Sequence, residues 1–210
     1  MNKVLPILFN TEMVQAILRE VAPKTATRRT IKGYIPKDAI WGYTAFTPKG
    51  YISCRGTFKD GYGEKFFKLP YQKDDTLYVR ETWCNANKAG VEADYYYLAD
   101  TCICEDYDKT EWKWRPSIHM PKKAARIWLK VVADVRVERL HDMTLDDFLS
   151  EGVVIRPEAF NDPENAYMQA RSEFARIWDS TIKKSQTDLN PWVWVTEFER
   201  CEKPEEIDMW

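Results

Sequence analysis

A short basic segment, Lys24 to Arg29, carries the residues of this sequence that are best suited to chemistry. It places three cations and two hydroxyl groups within six positions. Lys and Arg side chains bind phosphate and carbonyl oxygens, and a lysine that loses its proton can activate a threonine hydroxyl as a nucleophile. The alternative is a solvated basic loop, because Lys and Arg lie mostly at protein surfaces. The segment thus predicts an anion-binding site or a Lys–Thr catalytic pair, with the solvated loop as the competing interpretation.

An amphipathic helix is predicted to position this segment. Apolar side chains recur at the spacing of a buried helical face, at Met13, Val14, Ile17, Leu18 and Val21. Asn10 or Thr11 can accept hydrogen bonds from the first free amides of the helix. Pro23 must end it, because proline has no N–H and its ring clashes with the preceding turn. We therefore expect Lys24 at a sharp turn after the helix.

Two further segments hold residues that could share a site with the basic segment. One is a predicted strand from Thr76 to Glu81, and the other is a proline-bracketed run from Arg115 to Pro121. Their candidate ligand-binding side chains are Arg80, Glu81, Trp83, Arg115, Ser117 and His119. A carboxylate can accept hydrogen bonds from exocyclic amines, and an indole offers a stacking face.

Each of these candidates has a structural alternative. Arg80 and Glu81 could form an ion pair, although neighbours on a strand point to opposite faces, so we expect one of them to face the site. His119 could be a hydrogen-bonded structural residue of its loop rather than a base.

The spacing Lys24-x-x-Thr27-x-Arg29 resembles the signature of the ASCH domain, a family of PUA-like small β-barrels. The family usually has Gly where this chain has Ala22. The stretch from Leu77 to Trp83 is similar to a second family feature, a strand of the type Leu-Tyr-Val-Arg-Glu-x-Trp.

The chain also resembles ASCH-like proteins of bacteriophages and prophages. These share the run from Arg115 to Pro121 and a closing strand from Asn190 to Val195. The resemblance implies a cleft, lined by the first two segments, that accepts a nucleobase within RNA, DNA or a free nucleotide.

An enzymatic alternative comes from the same resemblance. Some small bacterial ASCH relatives are amidohydrolases that remove an acyl group from modified cytidine. The resemblance implies a Lys, a Thr three residues later, and a Glu just before the helix that follows the long strand. Lys24 and Thr27 match the first two positions, and the third falls at His141 or Asp142. A further alternative is a phage protein that binds a host factor through its acidic segments and has lost ligand binding.

Charge is unevenly distributed along a nearly neutral chain. The 210 residues carry a formal net charge of −2, which argues against strong nonspecific binding to nucleic acid. Cations dominate residues 113–139, whereas residues 100–111 and 199–208 are acidic. Segregated charge can build a local positive face that attracts phosphates.

The composition also indicates which cofactors and which cellular location to expect. Five cysteines follow no metal-binding spacing, and Cys102 and Cys104 are too close for a usual zinc knuckle, so we expect reduced thiols, no metal and no cofactor. No stretch approaches 18 consecutive apolar residues. We therefore expect no membrane association and a cytoplasmic location.

The predicted fold is one α+β domain over residues 1–201, a PUA-like small mixed or antiparallel β-barrel with two to three flanking helices. Insertions are expected near 33–68 and 84–121, and an acidic tail over 202–210. Strands are predicted over 5–9, 28–31, 76–81, 95–98, 127–137 and 192–198, with a hairpin turn at 48–50 between 44–47 and 51–54. Helices are predicted from Thr144, as N-cap, to Glu151 and from about Pro163 to Ile182.

Overall fold

Mixed strands and helices form the computed structural model, which describes residues 2–85, 95–100, 113–181 and 189–205. The helices are α1 (Thr11–Leu18), α2 (Leu145–Ser150) and α3 (Pro163–Thr181). The strands are β1 (Val4–Leu8), β2 (Ala26–Thr30), β3 (Ile40–Gly42), β4 (Tyr51–Phe58), β5 (Gly61–Lys68), β6 (Thr76–Arg80), β7 (Trp83–Asn85), β8 (Tyr95–Tyr97), β9 (Trp128–Val131), β10 (Arg136–Arg139) and β11 (Trp192–Cys201). The α+β class is therefore confirmed.

The main sheet is organised around β11. Its strand order is β1-β6-β9-β11-β10, and β2 also pairs with β11. The first half of β11 lies between β10 and β2, and its second half pairs with β9. The pair β1–β6 is parallel and the other pairs are antiparallel. Within the described strands this path stays open, and no hydrogen-bonded pairing closes it into a barrel.

Two apolar cores join the helices to this sheet, and a third packs the side of the sheet that carries Trp194 against Ile52 and Trp41 of the β3–β5 sheet. The first joins α1 to β1, β6 and β9 through Ile7, Val14, Ile17, Leu77 and Leu129. The second joins α2 and α3 to β11 through Phe148, Phe174, Trp178, Val193 and Val195. Each helix thus buries its apolar stripe on one part of the sheet, as the sequence periodicity predicts.

The strand predicted over 127–137 is in fact two strands, β9 and β10. Both pair with the same edge of β11, but the four residues 132–135 lie opposite only Thr196 and Glu197. The extra residues bulge out of the ladder, which is why a continuous alternating pattern was misread as one strand.

Residues 40–68 form a separate three-stranded sheet of β3, β4 and β5. The predicted turn precedes β4, where Gly50 has a φ of +82°. However, residues 44–47 are not a strand, because Thr44 and Thr47 hydrogen-bond to each other in a tight turn. The hairpin partner of β4 is β5.

The helix ends follow their predicted caps. Asn10 accepts from the Met13 amide, and Thr144 forms a capping box with Asp147. However, α1 ends at Leu18, and Val21 is 82% exposed rather than part of its buried face.

Cys54 and Cys84 are buried free thiols, whereas Cys102, Cys104 and most of the acidic segment 100–111 lie outside the described residues. In the described part of the chain, no helix has the length and apolar character needed to cross a membrane.

Candidate functional site

A cavity of about 910 Å³ lies at the free edge of β2. Its walls come from β2, the start of α1, the end of β5, the turn at 116–117 and the last turn of α3. Aromatic, basic and hydroxyl side chains dominate the lining: Phe9, Phe67, Trp178, Trp194, Arg29, Lys32, Lys68, Thr27, Ser117 and Thr181. We call this space the β2 cavity.

The register of β2 on β11 decides which side chains share a face. Arg29 lies opposite Trp194, and Thr27 lies opposite Thr196. Paired residues of an antiparallel ladder point to the same face, and successive residues alternate. Thr27 and Arg29 therefore share the face that carries Trp194, whereas Arg28 points to the face covered by α2.

Arg29 is held at the cavity without a carboxylate. Its Nη2 donates to the carbonyl oxygen of Leu8 at 2.5 Å. Its guanidinium carbon lies 5.7 Å from the centroid of the Phe9 ring, within the range of a cation–π contact. The side chain is exposed, and none of its described contacts is with an acid. Most of its donors are thus available to an anionic ligand.

The cavity wall is positively charged. Arg29, Lys32 and Lys68 are all exposed residues of the lining. Among the described residues that line the cavity there is no Asp or Glu. Uncompensated cations around a concave surface attract anions, and the neighbouring Phe67 and Trp194 rings add an apolar aromatic wall.

The free edge of β2 adds main-chain hydrogen-bonding groups to this wall. The Ile31 N–H donates to the Trp192 carbonyl at 3.0 Å. Since bonding alternates along an antiparallel strand, the N–H and C=O groups of Arg28 and Thr30 point away from β11. Both residues line the cavity. These groups can pair with the polar edge of a planar ligand.

Lys24 lies behind the cavity and is only 3% exposed. Its ammonium donates to the Glu151 carboxylate and, at 2.9 Å, to the Glu151 carbonyl oxygen. It also lies 5.9 Å from the centroid of the Phe9 ring, which belongs to the cavity wall. Burial lowers the pKa of Lys24, while the Glu151 carboxylate opposes that shift.

Backbone geometry brings Lys24 and Glu151 together. Gly152 follows α2 with a φ of +86°, and a Cβ there would lie 2.9 Å from the Lys24 Cβ and 2.8 Å from the Ala16 Cβ. Glycine therefore permits the close approach. Before Lys24, Ala22 has a φ of +48°. This left-handed turn stands at the position where the ASCH signature usually has Gly.

Arg28 lies at the centre of a buried ionic cluster on the opposite face of β2. Its side chain is fully buried, and it contacts the carboxylates of Glu138 at 3.2 Å, Asp147 at 2.5 Å and Glu151 at 3.5 Å. Arg136 joins the cluster by ion pairs to Glu138 and Asp147. This arrangement compensates Arg28 within the fold and leaves its side chain no evident role toward a ligand.

His141 and Asp142 are the two positions where the resemblance places the acid of a hydrolase. Both residues are exposed, in the short turn before α2, and neither contacts Lys24. The carboxylate that meets Lys24 is Glu151, at the other end of α2. The tight turn at Gly152 brings Glu151 to Lys24.

The second predicted segment does not join the cavity through Arg80, Glu81 or Trp83, none of which lines it. Arg80 donates to the Ile118 carbonyl. Glu81 is 1% exposed and accepts from Arg126 at 2.9 and 3.1 Å. Burial raises the pKa of Glu81, although Arg126 opposes the shift.

The neighbouring residue Trp83 is a core residue, 4% exposed. The Arg115 guanidinium lies over its ring at 5.2 Å. Of the candidate residues in the third segment, Ser117 lines the β2 cavity, whereas Arg115 and His119 do not and His119 is exposed. Of the candidates from the three segments, Thr27, Arg29 and Ser117 line the β2 cavity, and Lys24 lies behind it.

Sequence reasoning missed Glu151, Phe9, Lys32 and Trp194. Strand alternation could have identified Trp194, because it pairs with the singled-out Arg29. No sequence signal indicates Glu151, whose partner Lys24 is 127 positions away.

Comparison of the chain with protein-family models, with curated proteins and with solved structures finds no match.

Proposed function

We propose that the protein binds a nucleotide, free or within a single strand of RNA or DNA, in the β2 cavity. The observation that carries the proposal is the lining of that cavity. Three exposed cations and several aromatic rings surround it, without a carboxylate among its described lining residues. Phosphate is a preferred partner of Arg and Lys, and bases stack on aromatic side chains or Arg guanidinium planes.

The proposal includes an ASCH-type module with a PUA-like fold. It is supported by the Lys24-x-x-Thr27-x-Arg29 spacing and by the left-handed backbone at Ala22. Arg29 would contact the ligand directly, whereas Thr27 belongs to the lining but is only 3% exposed. Lys24 would support the wall from behind, since its described contacts are Glu151 and the Phe9 ring.

The test is a titration of the protein with a nucleoside 5′-monophosphate, the matching nucleoside and inorganic phosphate, followed by calorimetry. We expect the monophosphate to bind most tightly, because only it uses both the cations and the aromatic wall. Arg29→Ala should weaken that binding by about tenfold or more, the size of a hydrogen bond to a charged group.

Arg171→Ala is the matched control. Arg171 is an exposed arginine on α3 that lines none of the described cavities, so its removal changes net charge equally. Equal losses in Arg29→Ala and Arg171→Ala would contradict a site at β2. Absence of binding to all three ligands and to single strands would leave the protein-interaction alternative ahead.

A second candidate function is hydrolysis of acylated cytidine. The observation that favours it is the buried Lys24–Glu151 pair, in which Lys24 precedes Thr27 by three residues and burial lowers the pKa of Lys24. In that reaction the Thr27 hydroxyl attacks the acyl carbonyl, the cytidine amine leaves with a proton, and water then releases the acid. The resting geometry is less favourable, because Thr27 is not among the described contacts of the Lys24 ammonium.

Release of cytidine from its acylated form separates the two candidates. Turnover that is lost in Thr27→Ala would support the hydrolase, and turnover that survives this substitution would exclude Thr27 as the nucleophile. A wild-type protein that binds nucleotides without turnover would be a binding module.

A further inference from the structure

We infer that the ligand is a single-stranded nucleic acid that occupies a second subsite, formed by Arg139 and Trp192, beside the β2 cavity. This inference rests on the proposed function and makes it more specific. It selects a strand of at least two nucleotides over a free mononucleotide.

The two spaces are contiguous. A second cavity of about 590 Å³ contains Arg139 and Trp192. It shares Thr30, Ile31 and Lys32 with the β2 cavity. Neither lining includes an Asp or Glu among the described residues. A ligand that extends past Lys32 from one cavity toward the other meets no described carboxylate on either lining.

The second cavity repeats the arginine arrangement of the first. The Arg139 guanidinium carbon lies 4.3 Å from the centroid of the Trp192 ring, as Arg29 lies over Phe9. Nη1 of Arg139 donates to the Asn190 carbonyl at 2.9 Å, as Arg29 donates to Leu8. Each guanidinium is thus fixed by one carbonyl and one ring, with no carboxylate among its described partners.

The sheet register places both arginines on one face. Arg29 is opposite Trp194 on one side of β11, and Arg139 is opposite Trp192 on the other. Because paired residues point to the same face, all four side chains share it. The two arginines are two strands and two residues apart, about 12 Å between Cα atoms on ordinary strand spacing. They serve different cavities and can serve successive parts of one strand.

The chemistry of this face suits a strand better than a compact anion. A planar guanidinium stacked on a ring presents its other face to a base and its N–H groups to a phosphate. Lys32 lies where the cavities meet and can contact a linking phosphate.

The experiment compares a nucleoside monophosphate with a single-stranded hexanucleotide of the same base on the wild type, Arg139→Ala and Arg171→Ala. The hexanucleotide should bind the wild type more tightly than the monophosphate. Arg139→Ala should weaken hexanucleotide binding about tenfold, the effect of one stacked base, and leave monophosphate binding unchanged. Arg171→Ala should alter neither. Arg139→Lys keeps the charge but removes the stacking plane, so it should recover only part of the loss.

Three outcomes would overturn the inference. If the wild type binds monophosphate and hexanucleotide equally, or Arg139→Ala weakens both by the same factor, the second subsite does not exist while the nucleotide site stands. If a duplex of the same length binds as well as the single strand, stacking on this face is contradicted. If neither ligand binds, the proposed function itself fails. Thermal unfolding of each variant identifies any loss that comes from misfolding.

Discussion

Arg28 and Arg29 are neighbours on β2, yet they lie in opposite electrostatic environments. Arg28 points beneath α2 and is surrounded by Glu138, Asp147 and Glu151. Arg29 points to the other face, where its described partners are a carbonyl oxygen and the Phe9 ring. One strand therefore carries a cation that is compensated within the fold and a cation that is not.

The difference separates a structural role from a ligand-binding role. A buried charge must be paired, because removing it from water is costly. An exposed cation that contacts no carboxylate adds little to the stability of the fold, and it remains available to a ligand. The same contrast distinguishes Arg126, which pairs with Glu81, from Arg139, which lies on Trp192.

The largest expected effect comes from removing the compensated cation. Arg28→Ala would leave the carboxylates of Glu138, Asp147 and Glu151 facing one another without their shared partner. We expect the free energy of unfolding to fall by roughly 3–5 kcal/mol, the usual cost of breaking a buried ion pair. Urea denaturation measures it.

Arg29→Ala is the matched control for that prediction. Its free energy of unfolding should lie within about 0.5 kcal/mol of the wild type, as for most surface substitutions. Equal destabilisation by the two substitutions would remove the distinction between the two faces.

A second prediction concerns Lys24 and pH. In Glu151→Gln the carboxylate that opposes the lowered pKa of Lys24 is gone, so burial lowers this pKa further from its ordinary value of 10.5. A base with a lowered folded-state pKa binds fewer protons when folded than when unfolded, and stability then rises with pH. The variant should be less stable than the wild type at neutral pH. The difference between their free energies of unfolding should become smaller as the pH rises toward 10.5.

Urea denaturation of both proteins from neutral pH to pH 10 checks this behaviour. Taking the difference between the two proteins cancels titrations that they share. A difference in free energy of unfolding that stays constant or increases with pH would show that Lys24 does not titrate in this way.

The smallest expected effect is at Ala22, before the basic segment. Its φ of +48° strains any residue with a Cβ. Ala22→Gly should raise the free energy of unfolding by about 0.5–1 kcal/mol, because relief of strain outweighs the greater freedom of an unfolded glycine. A fall in stability would show that the left-handed turn is wrongly placed.

Local patterns were sufficient to predict much of this structure. The spacing of apolar residues predicted α1 and α3, and the cap at Thr144 predicted α2. Asn10, one of two candidate caps for α1, and Thr144 are the observed caps, because capping depends on nearby residues alone. β11 was predicted and is longer than expected, ending at Cys201. The interruption between β9 and β10 was missed, because an alternating pattern does not reveal how many residues oppose the partner strand.

The site was predictable only in part, for a related reason. The motif drew attention to Thr27 and Arg29, which line the β2 cavity, and alternation separates them from Arg28. Which face is compensated depends on acids that are distant in sequence, and Glu151 approaches Lys24 only through the turn at Gly152. Glu81 was likewise expected at the cleft but pairs with Arg126, which no local pattern indicates.

The central claim is that the uncompensated face of β2 and β11 binds nucleic acid through its free cations. The most direct measurement is the affinity for a single-stranded hexanucleotide across a series of salt concentrations. Affinity should fall as salt rises, because bound phosphates release counterions. Arg29→Ala should weaken binding and reduce the slope of log affinity against log salt by about one, whereas Arg171→Ala should leave the slope unchanged. Wild-type binding that is insensitive to salt, or a slope that Arg29→Ala does not change, would contradict the account.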